Sequence, residues 1–436
     1  MTDDVTEHEA PTRRDSSERQ RTGSRRGSER SERTRREYMK YGGAVVGGGL
    51  LAGCAGDDGT EETEASGGTE ASDEPARGED ESYTVSMRPV GDVTFAEPPT
   101  EWYAGKRDSY VDMALALGQI DGWTPSEFKG VYFYQDLGID ILERRPQSEW
   151  QTGELEYKEF FYELEPDVFL LDPVYLRSRN SGWSESDIEE IENNVAPFFG
   201  TTVDYYHSLG YEQLPSYEAF DGVAELFDER ERYEAFVDVQ EEMLSTIDSE
   251  LPPEEERPTV GYIENRGDGV FRVFRINGIG SARKAFRDLG VVDALEELSL
   301  EGDDTSVRGE TDYEVILEAD SEVLIFQDAF RFGDPYISVE NGEAVFDGDL
   351  FRENIIQQME DHPVGQDVTA VQEGNVYPNG FGRERPVAVL YETDLLARQV
   401  YPEQFGSFDL DAPLTPPDGD GLFDRQRVAD IINGEV

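Results

Sequence analysis

Cysteine is almost absent: Cys54 is the only one in 436 residues. A lone thiol makes no disulfide within the chain, so the fold rests on its apolar cores. Histidine is scarce as well. His8, His207 and His362 are the only three, too few and too scattered for a zinc or manganese site built on imidazoles. An oxygen-only iron site of tyrosines and carboxylates stays open. The chain has no G-x-S-x-G elbow, no H-E-x-x-H and no glycine-rich P-loop ending in Lys-Ser/Thr. The usual signs of a serine hydrolase, a zinc protease and a P-loop NTPase are therefore missing. Positive charge is short too. Lys+Arg total 38 against Asp+Glu 97, a formal net charge of −59. Such a charge repels nucleic acid and keeps the chain hydrated. An apolar run of membrane-spanning length is also lacking. The stretch Tyr41 to Ala52 covers about a dozen residues, where a spanning helix needs ~20. The β-rich repeats of an adhesion domain are absent.

What is present begins with aromatic residues at 11%, enough apolar material for real cores, so the charge is not a sign of disorder over the whole length. Acidic residues throughout, with few lysines, resemble the proteins of salt-loving archaea. Near the start, Arg35-Arg36 is followed by Tyr38, Met39 and Lys40, then by the short apolar run, then by Leu51-Ala52-Gly53-Cys54. This order resembles a twin-arginine export signal ending in a lipoprotein box. The resemblance implies export by the twin-arginine route, cleavage before Cys54, and a lipid on that cysteine. One acyl chain binds membranes weakly, so two are expected. Residues 1–53 are thus read as the signal. Residues 54–82, mostly Gly, Ser, Thr, Ala, Asp and Glu, cannot bury enough surface to offset their ordering entropy and read as a disordered acidic tether.

Order starts at Tyr83. Tyr83–Met87 alternates as a strand, and Val93–Phe95 is a second extended piece. A helix through Tyr110, Val111, Ala114, Leu115 and Leu117 stops at Gly118. An acidic helix near Leu155–Leu164 leads into Asp167–Leu171, an apolar run of the kind found in strands buried on both faces. Glu229–Glu250 is the longest helical pattern, with Tyr233, Phe236, Val237, Gln240, Leu244 and Ile247 on one face, ended by Pro252-Pro253. A second series follows: strands at Thr259–Ile263, Val270–Phe274, Val323–Phe326 and Asn375–Tyr377, and helices at Ala282–Leu289, Tyr313–Leu317, Phe351–Met359, Val387–Tyr401 and Arg425–Ile432. The expected division is an N-terminal α/β lobe over 83–228, a linking helix over 229–252 and a C-terminal α/β lobe over 253–436. Segments 159–171 and 314–326 echo each other. In each, a Glu opens a short helix, Pro or Ser stands seven positions on, an acid follows, and then an apolar strand. This is either two copies of a common helix–strand unit, which needs no shared ancestry, or a true internal repeat; both imply two α/β lobes.

The whole order, with the signatures EPPTEWYAGKRDSYVDMALALG, LEPDVFLLD, ILEADSEVLIF and VQEGNVYPNGFGRERPVAVLYETDLLARQVYPEQFG, resembles a substrate-binding lipoprotein of an ABC importer, of the class that delivers iron(III)–siderophores, haem and cobalamin. The resemblance covers residues 83 to about 410. It implies two Rossmann-like lobes joined by one spanning helix, the class III architecture. It also implies a protein that binds without turnover at the outer face of the cell membrane, with no intrinsic cofactor, as a monomer, and hands its ligand to a permease and ATPase. A single helical connector resists bending, so small closure is expected. The first lobe is longer than usual around Arg177 to Tyr217, and Ser321 stands where the second lobe usually has Pro. The alternative reading is a secreted, membrane-anchored α/β hydrolase.

An anionic chelate calls for cations and aromatic faces in a cleft at the strand carboxyl ends. The arginines around 266–287 form a local excess. The candidates are Trp102, Tyr103 and Lys106 after the first strands, Arg275 and Arg283, Phe330 and Arg331 past the strand that ends at Phe326, and Arg383 and Arg385 in GFGRERP. The resemblance implies that these loops face the cleft. It also implies that Glu159 and Glu314, one per lobe, dock onto permease arginines. Asn277–Ser281, glycine-rich before a helix, reads as an ordinary turn.

Overall fold

The structure, a computed structural model, describes residues 82–105, 108–151, 155, 157–179, 182–203, 209–276, 283–296, 308–327, 329–380, 385–416 and 421–435. All of them lie in one compact unit, Ala71–Val436. Arg35, Arg36 and Cys54 fall outside the described residues, as do Lys106 and Arg383.

The alternating pattern at the start forms an antiparallel hairpin of β1 (Tyr83–Met87) and β2 (Gly91–Phe95). Its inward side chains Val85, Met87 and Phe95 are buried. The N-terminal sheet is parallel. β3 (Trp102–Tyr103) pairs with β4 (Val168–Phe169), and single bridges add Trp123 beside Trp102 and Phe198 beside Phe169. Between and after these strands come α1 (Asp108–Ala116), α2 (Val131–Asp136), α3 (Ile141–Arg144), α4 (Lys158–Leu164), α5 (Pro173–Arg179), α6 (Glu185–Asn194) and α7 (Ser216–Phe227). Asp228, at φ 59°, turns the chain into α8 (Arg230–Glu250). Its 21 residues span about 32 Å at ~1.5 Å per residue. The buried stripe of α8 is Phe236, Val239, Gln240, Met243 and Ile247. Tyr233, Val237 and Leu244, read from the sequence as part of that face, are only half-buried, because the stripe runs about 50° round from that reading.

The second sheet is mixed. Its order is β12 (Val376–Pro378), β9 (Val323–Phe326), β5 (Thr259–Gly267), β6 (Val270–Phe274) and β8 (Arg308–Thr311), with β7 (Val292–Asp293) beside the start of β5. β5, β9 and β12 are parallel. β5 and β6 form a hairpin whose turn residues Asp268 and Gly269 both have positive φ, the geometry that an Asp-Gly pair accepts most readily. The remaining elements are α9 (Lys284–Asp288), α10 (Tyr313–Ala319), the hairpin of β10 (Ile337–Glu340) and β11 (Glu343–Phe346), α11 (Gly348–Phe351), α12 (Gln357–Asp361), α13 (Thr369–Glu373), α14 (Pro386–Val400), α15 (Pro402–Phe405) and α16 (Arg425–Asn433). These are two α/β lobes joined by one long helix.

The sequence echo is a physical repeat. α4 and α10 are each 7 residues long and each ends on a left-handed acid, Glu165 at φ 45° and Asp320 at φ 44°. Two residues later an acid clamps the start of the neighbouring strand. Asp167 Oδ2 accepts from Thr100 N, Thr100 Oγ1 and Glu101 N at 2.9, 3.0 and 2.9 Å. Glu322 Oε2 accepts from Thr259 N and Thr259 Oγ1 at 2.8 and 3.1 Å. Burial alone pulls the Asp167 carboxyl pKa up. The three donors outweigh it and hold that carboxyl below its ordinary range.

α14, like the described side chains of α1, lies wholly inside the protein. All 15 of its residues are buried, including Glu392, Thr393, Asp394, Arg398 and Gln399. Its Asp394 and Arg398 neutralise each other. Arg398 donates through Nη2 and Nε to Asp394 Oδ2 at 3.0 and 3.2 Å, and Nη2 also reaches Pro413 O at 2.9 Å. A buried charge left unpaired is expensive, so this geometry is a condition of the fold.

Candidate functional site

The strands of the two lobes point their carboxyl ends toward loops that meet at one junction. On the N-terminal side, the segment after Ser126 carries Glu127, Lys129, Tyr132 and Gln135. On the C-terminal side, the segment after β9 carries Ala329 to Asp334, and β11 lies beyond it. The junction is stitched by main-chain and side-chain bonds. Phe332 N donates to Lys129 O at 3.0 Å. Gln135 donates to Ala344 O at 3.0 Å and accepts from Ala344 N at 2.6 Å, as a third strand would. Tyr132 stacks on Phe330 at 6.1 Å and 14°, and Trp150 packs on Phe332 at 5.6 Å.

Charged groups ring this contact. Lys129 pairs with Glu127 at 2.7 Å, and Arg331 with Asp334 at 3.1 Å. Burial raises the Asp334 carboxyl, opposed by Arg331 and Lys129. Deeper in the N-terminal lobe, at the ends of β4 and of the Phe198 bridge, lies a polar cluster. Asp172 Oδ2 accepts from Thr202 Oγ1 and Tyr211 OH at 2.5 Å each, and its Oδ1 caps α5 through Val174 N and Tyr175 N. Tyr110 OH donates to Thr201 O at 2.8 Å. The Tyr211 hydroxyl is pushed up to about 12, by burial first and by the Asp172 charge next. It therefore stays a protonated donor at neutral pH.

Behind the junction, α1 and α14 are tied by Asp112. Its side chain is buried, and its Oδ2 accepts from Val387 N at 2.9 Å in the first turn of α14. Burial pushes the carboxyl up to about 6, against the lowering pull of Arg385. Asp136 ties α2 to the C-terminal region: it accepts from Tyr391 OH at 2.6 Å and pairs with Arg425 at 3.0 Å.

The structure places the residues singled out in the sequence unevenly. Trp102 and Tyr103 are interior packing residues, not open cleft aromatics. Trp102 stacks on Trp123 at 6.1 Å and donates to Gln119 O at 2.8 Å; Tyr103 sits edge-on to Phe160 at 5.8 Å. The reason is that β3 is an inner strand covered on both faces. Arg275 reaches the backbone carbonyls of Leu295 and Glu296. Arg283 is buried with its guanidinium 5.8 Å from the Phe274 ring. Arg385 is buried at the N-cap of α14, near Asp112. Phe330 and Arg331 are at the junction. Glu159 and Glu314 are exposed, each the second residue of its short helix. Lys129, Tyr132, Asp172 and Tyr211 were not singled out. Asp172-Pro173 directly after an apolar strand was a legible cap signal for one of them. The groups gathered at the junction are hydrogen-bond donors, cations and aromatic faces, the equipment of a binding site.

No curated protein matches this sequence. Among solved structures, a periplasmic binding protein from Veillonella parvula aligns over 73% of this chain and 97% of its own at 16% identity, TM-score 0.51. A TroA-like periplasmic binding protein, FepB, from Veillonella parvula aligns over 78% and 98% at 14% identity, TM-score 0.52. A protein of an ABC-type Fe3+-hydroxamate transport system from Saccharomonospora viridis aligns over 74% and 99% at 18% identity, TM-score 0.48. At these identities the likeness is one of fold. The family model described as periplasmic binding protein matches residues 158–379, from α4 through β9 to the end of β12. With both inner strands and the spanning helix inside that match, this chain belongs to the periplasmic binding protein family.

Proposed function

We propose that the chain is the solute-binding component of an ABC importer, capturing an iron(III)–siderophore or a similar bulky chelate such as haem or cobalamin and delivering it to the permease and ATPase. The observation that carries the reading is the junction itself. Two α/β lobes joined by one helix bring the Tyr132–Phe330 stack, Lys129 and Arg331 together, and these groups suit an anionic, partly aromatic ligand. The ligand class comes from the resemblance of the sequence signatures. Among the residues singled out in the sequence, Arg331 is the best supported contact, next to the buried Phe330; Lys106 and Arg383 lie outside the described residues. Arg385 acts through Asp112 and α14. The reading has no chemical step. The family match is to binding proteins and lends no support to the secreted-hydrolase alternative.

The finer parts of the reading rest on the sequence: export through Arg35-Arg36, a lipid on Cys54, an acidic tether over 54–82, a working environment rich in salt, and a monomer at the outer face of the membrane. No described helix is long and apolar enough to cross a membrane. A thermal-shift screen in high salt with ferric siderophores, haem and cobalamin tests the function. A ligand present at ~100 times its Kd stabilises by about 2.7 kcal/mol, a readily visible shift. No shift with any of them, alongside hydrolase activity, would overturn the reading.

A further inference from the structure

Among the described residues only six large apolar or aromatic side chains stand well exposed, and Tyr157 at 59% is the most exposed of them. Tyr162, at 41%, is another. Both belong to α4, as its N-cap and its fifth residue, and Glu159 is exposed between them, three residues before Tyr162 on the same helix face. Tyr162 is held in place. Its hydroxyl donates to Glu190 Oε1 at 2.9 Å, and Lys158 Nζ bridges Glu190 at 2.9 Å and Asp187 at 2.6 Å. An aromatic ring fixed in advance loses little entropy when a partner covers it. The one cation of this helix is already committed to α6, so the face shows acids and two rings: Glu159, Glu163 and Glu165 beside Tyr157 and Tyr162. The matching helix of the other lobe is built differently. In α10, Tyr313 turns inward and stacks on His362 at 3.7 Å, leaving Glu314 and Glu318 exposed.

We propose that Tyr157 and Tyr162 form an aromatic grip beside Glu159 through which the N-terminal lobe holds a basic, membrane-embedded partner, the permease. This rests on the proposed function. Tyrosine is a typical anchor of protein interfaces, here with one of the two rings fixed in advance, and the acids around them set the partner's charge. The two docking points then differ in kind. The C-terminal one, with glutamates alone, steers encounter and weakens as salt shortens the Debye length. The N-terminal one holds the complex, because burial of rings persists in salt.

The test uses the full chain and the importer's permease–ATPase complex in nanodiscs, with association and dissociation rates measured at low and high KCl. Tyr157→Ser with Tyr162→Ser is expected to speed dissociation by ~10–100-fold at both salt levels. Tyr157→Phe, which keeps the ring and leaves the Tyr162–Glu190 bond in place, should stay near wild type. Glu159→Ala should slow association at low salt only. Each variant is also checked for binding of a ferric siderophore by thermal shift, which guards against misfolding. Serine variants that bind the siderophore and leave the permease at the wild-type rate would overturn the aromatic grip alone. A wild-type chain that binds neither siderophore, haem, cobalamin nor the permease complex would overturn the proposed function, and the grip with it.

Discussion

Asp112 offers the sharpest test of how the lobes are joined. It is buried on α1, accepts the Val387 N–H at the head of α14, and faces two titratable or charged groups, Arg385 and Tyr134. Burial raises its carboxyl from an ordinary 3.8 to about 6 despite Arg385. At about 1.4 kcal/mol per pH unit, ionisation in the fold therefore costs about 3 kcal/mol. Below about pH 4 both folded and unfolded chains are protonated at this site, and the cost is absent. Between 4 and 6 the unfolded chain gives up the proton while the folded chain keeps it, so stability falls as pH rises. Above 6 the loss is complete. Asp112→Asn keeps an acceptor for Val387 and removes the titration. Urea unfolding of both proteins, followed by tryptophan fluorescence in about 1 M KCl, isolates the effect, because surface charges are screened over ~3 Å there and a buried one is not. The stability of wild type relative to the variant should drop by about 3 kcal/mol from pH 4 to 7. Parallel curves would refute the reasoning. A difference that grows with pH would show that the Arg385 charge outweighs burial.

The paired strand clamps should behave as a pair. Asp167→Ala and Glu322→Ala are each expected to cost about 1 kcal/mol, as a lost helix cap does, and to add in the double variant because they sit in separate sheets. Equilibrium unfolding that finds one of them neutral would end the view that they do the same job. For the anchor, Cys54→Ser is expected to release the mature protein into the soluble fraction on cell fractionation, and a variant still fully membrane-bound would leave the export reading to Arg35 and Arg36 alone.

Much of the architecture was legible because its signals are local. The apolar run Val323–Phe326 and the long helix before Pro252-Pro253 depend on neighbours within a few residues. The short apolar run Val131–Phe133 is helical, and at that length a buried strand and a buried helical turn look alike in sequence. The helix Ser216–Phe227 carries a signal in the spacing of Ala219, Phe220, Val223 and Phe227. The site was less legible. Trp102 and Tyr103 carry the right chemistry, yet whether a ring points to a cleft or a core depends on which strands flank β3, and those lie at Trp123 and Val168. The burial of the charges of α14 was not legible, because two of the groups that meet them, Pro413 O and Arg425, come later in the chain. Lys129 and Tyr132 become site residues only when a loop some two hundred positions away arrives.

That last dependence also sets the order in which the molecule can be built. The bonds that join the lobes link residues 209, 255 and 275 positions apart, Gln135 with Ala344, Asp136 with Tyr391 and Asp112 with Val387. α14, buried on every side, is the surface on which α1 and α2 close. A nascent chain ending before residue 386 has a spanning helix and most of two sheets, and an apolar trench where α14 belongs. Contacts this distant close late and slowly, and a chain with such a trench open is prone to stick to its neighbours. Closure of the two lobes on each other therefore depends on α14 being in place.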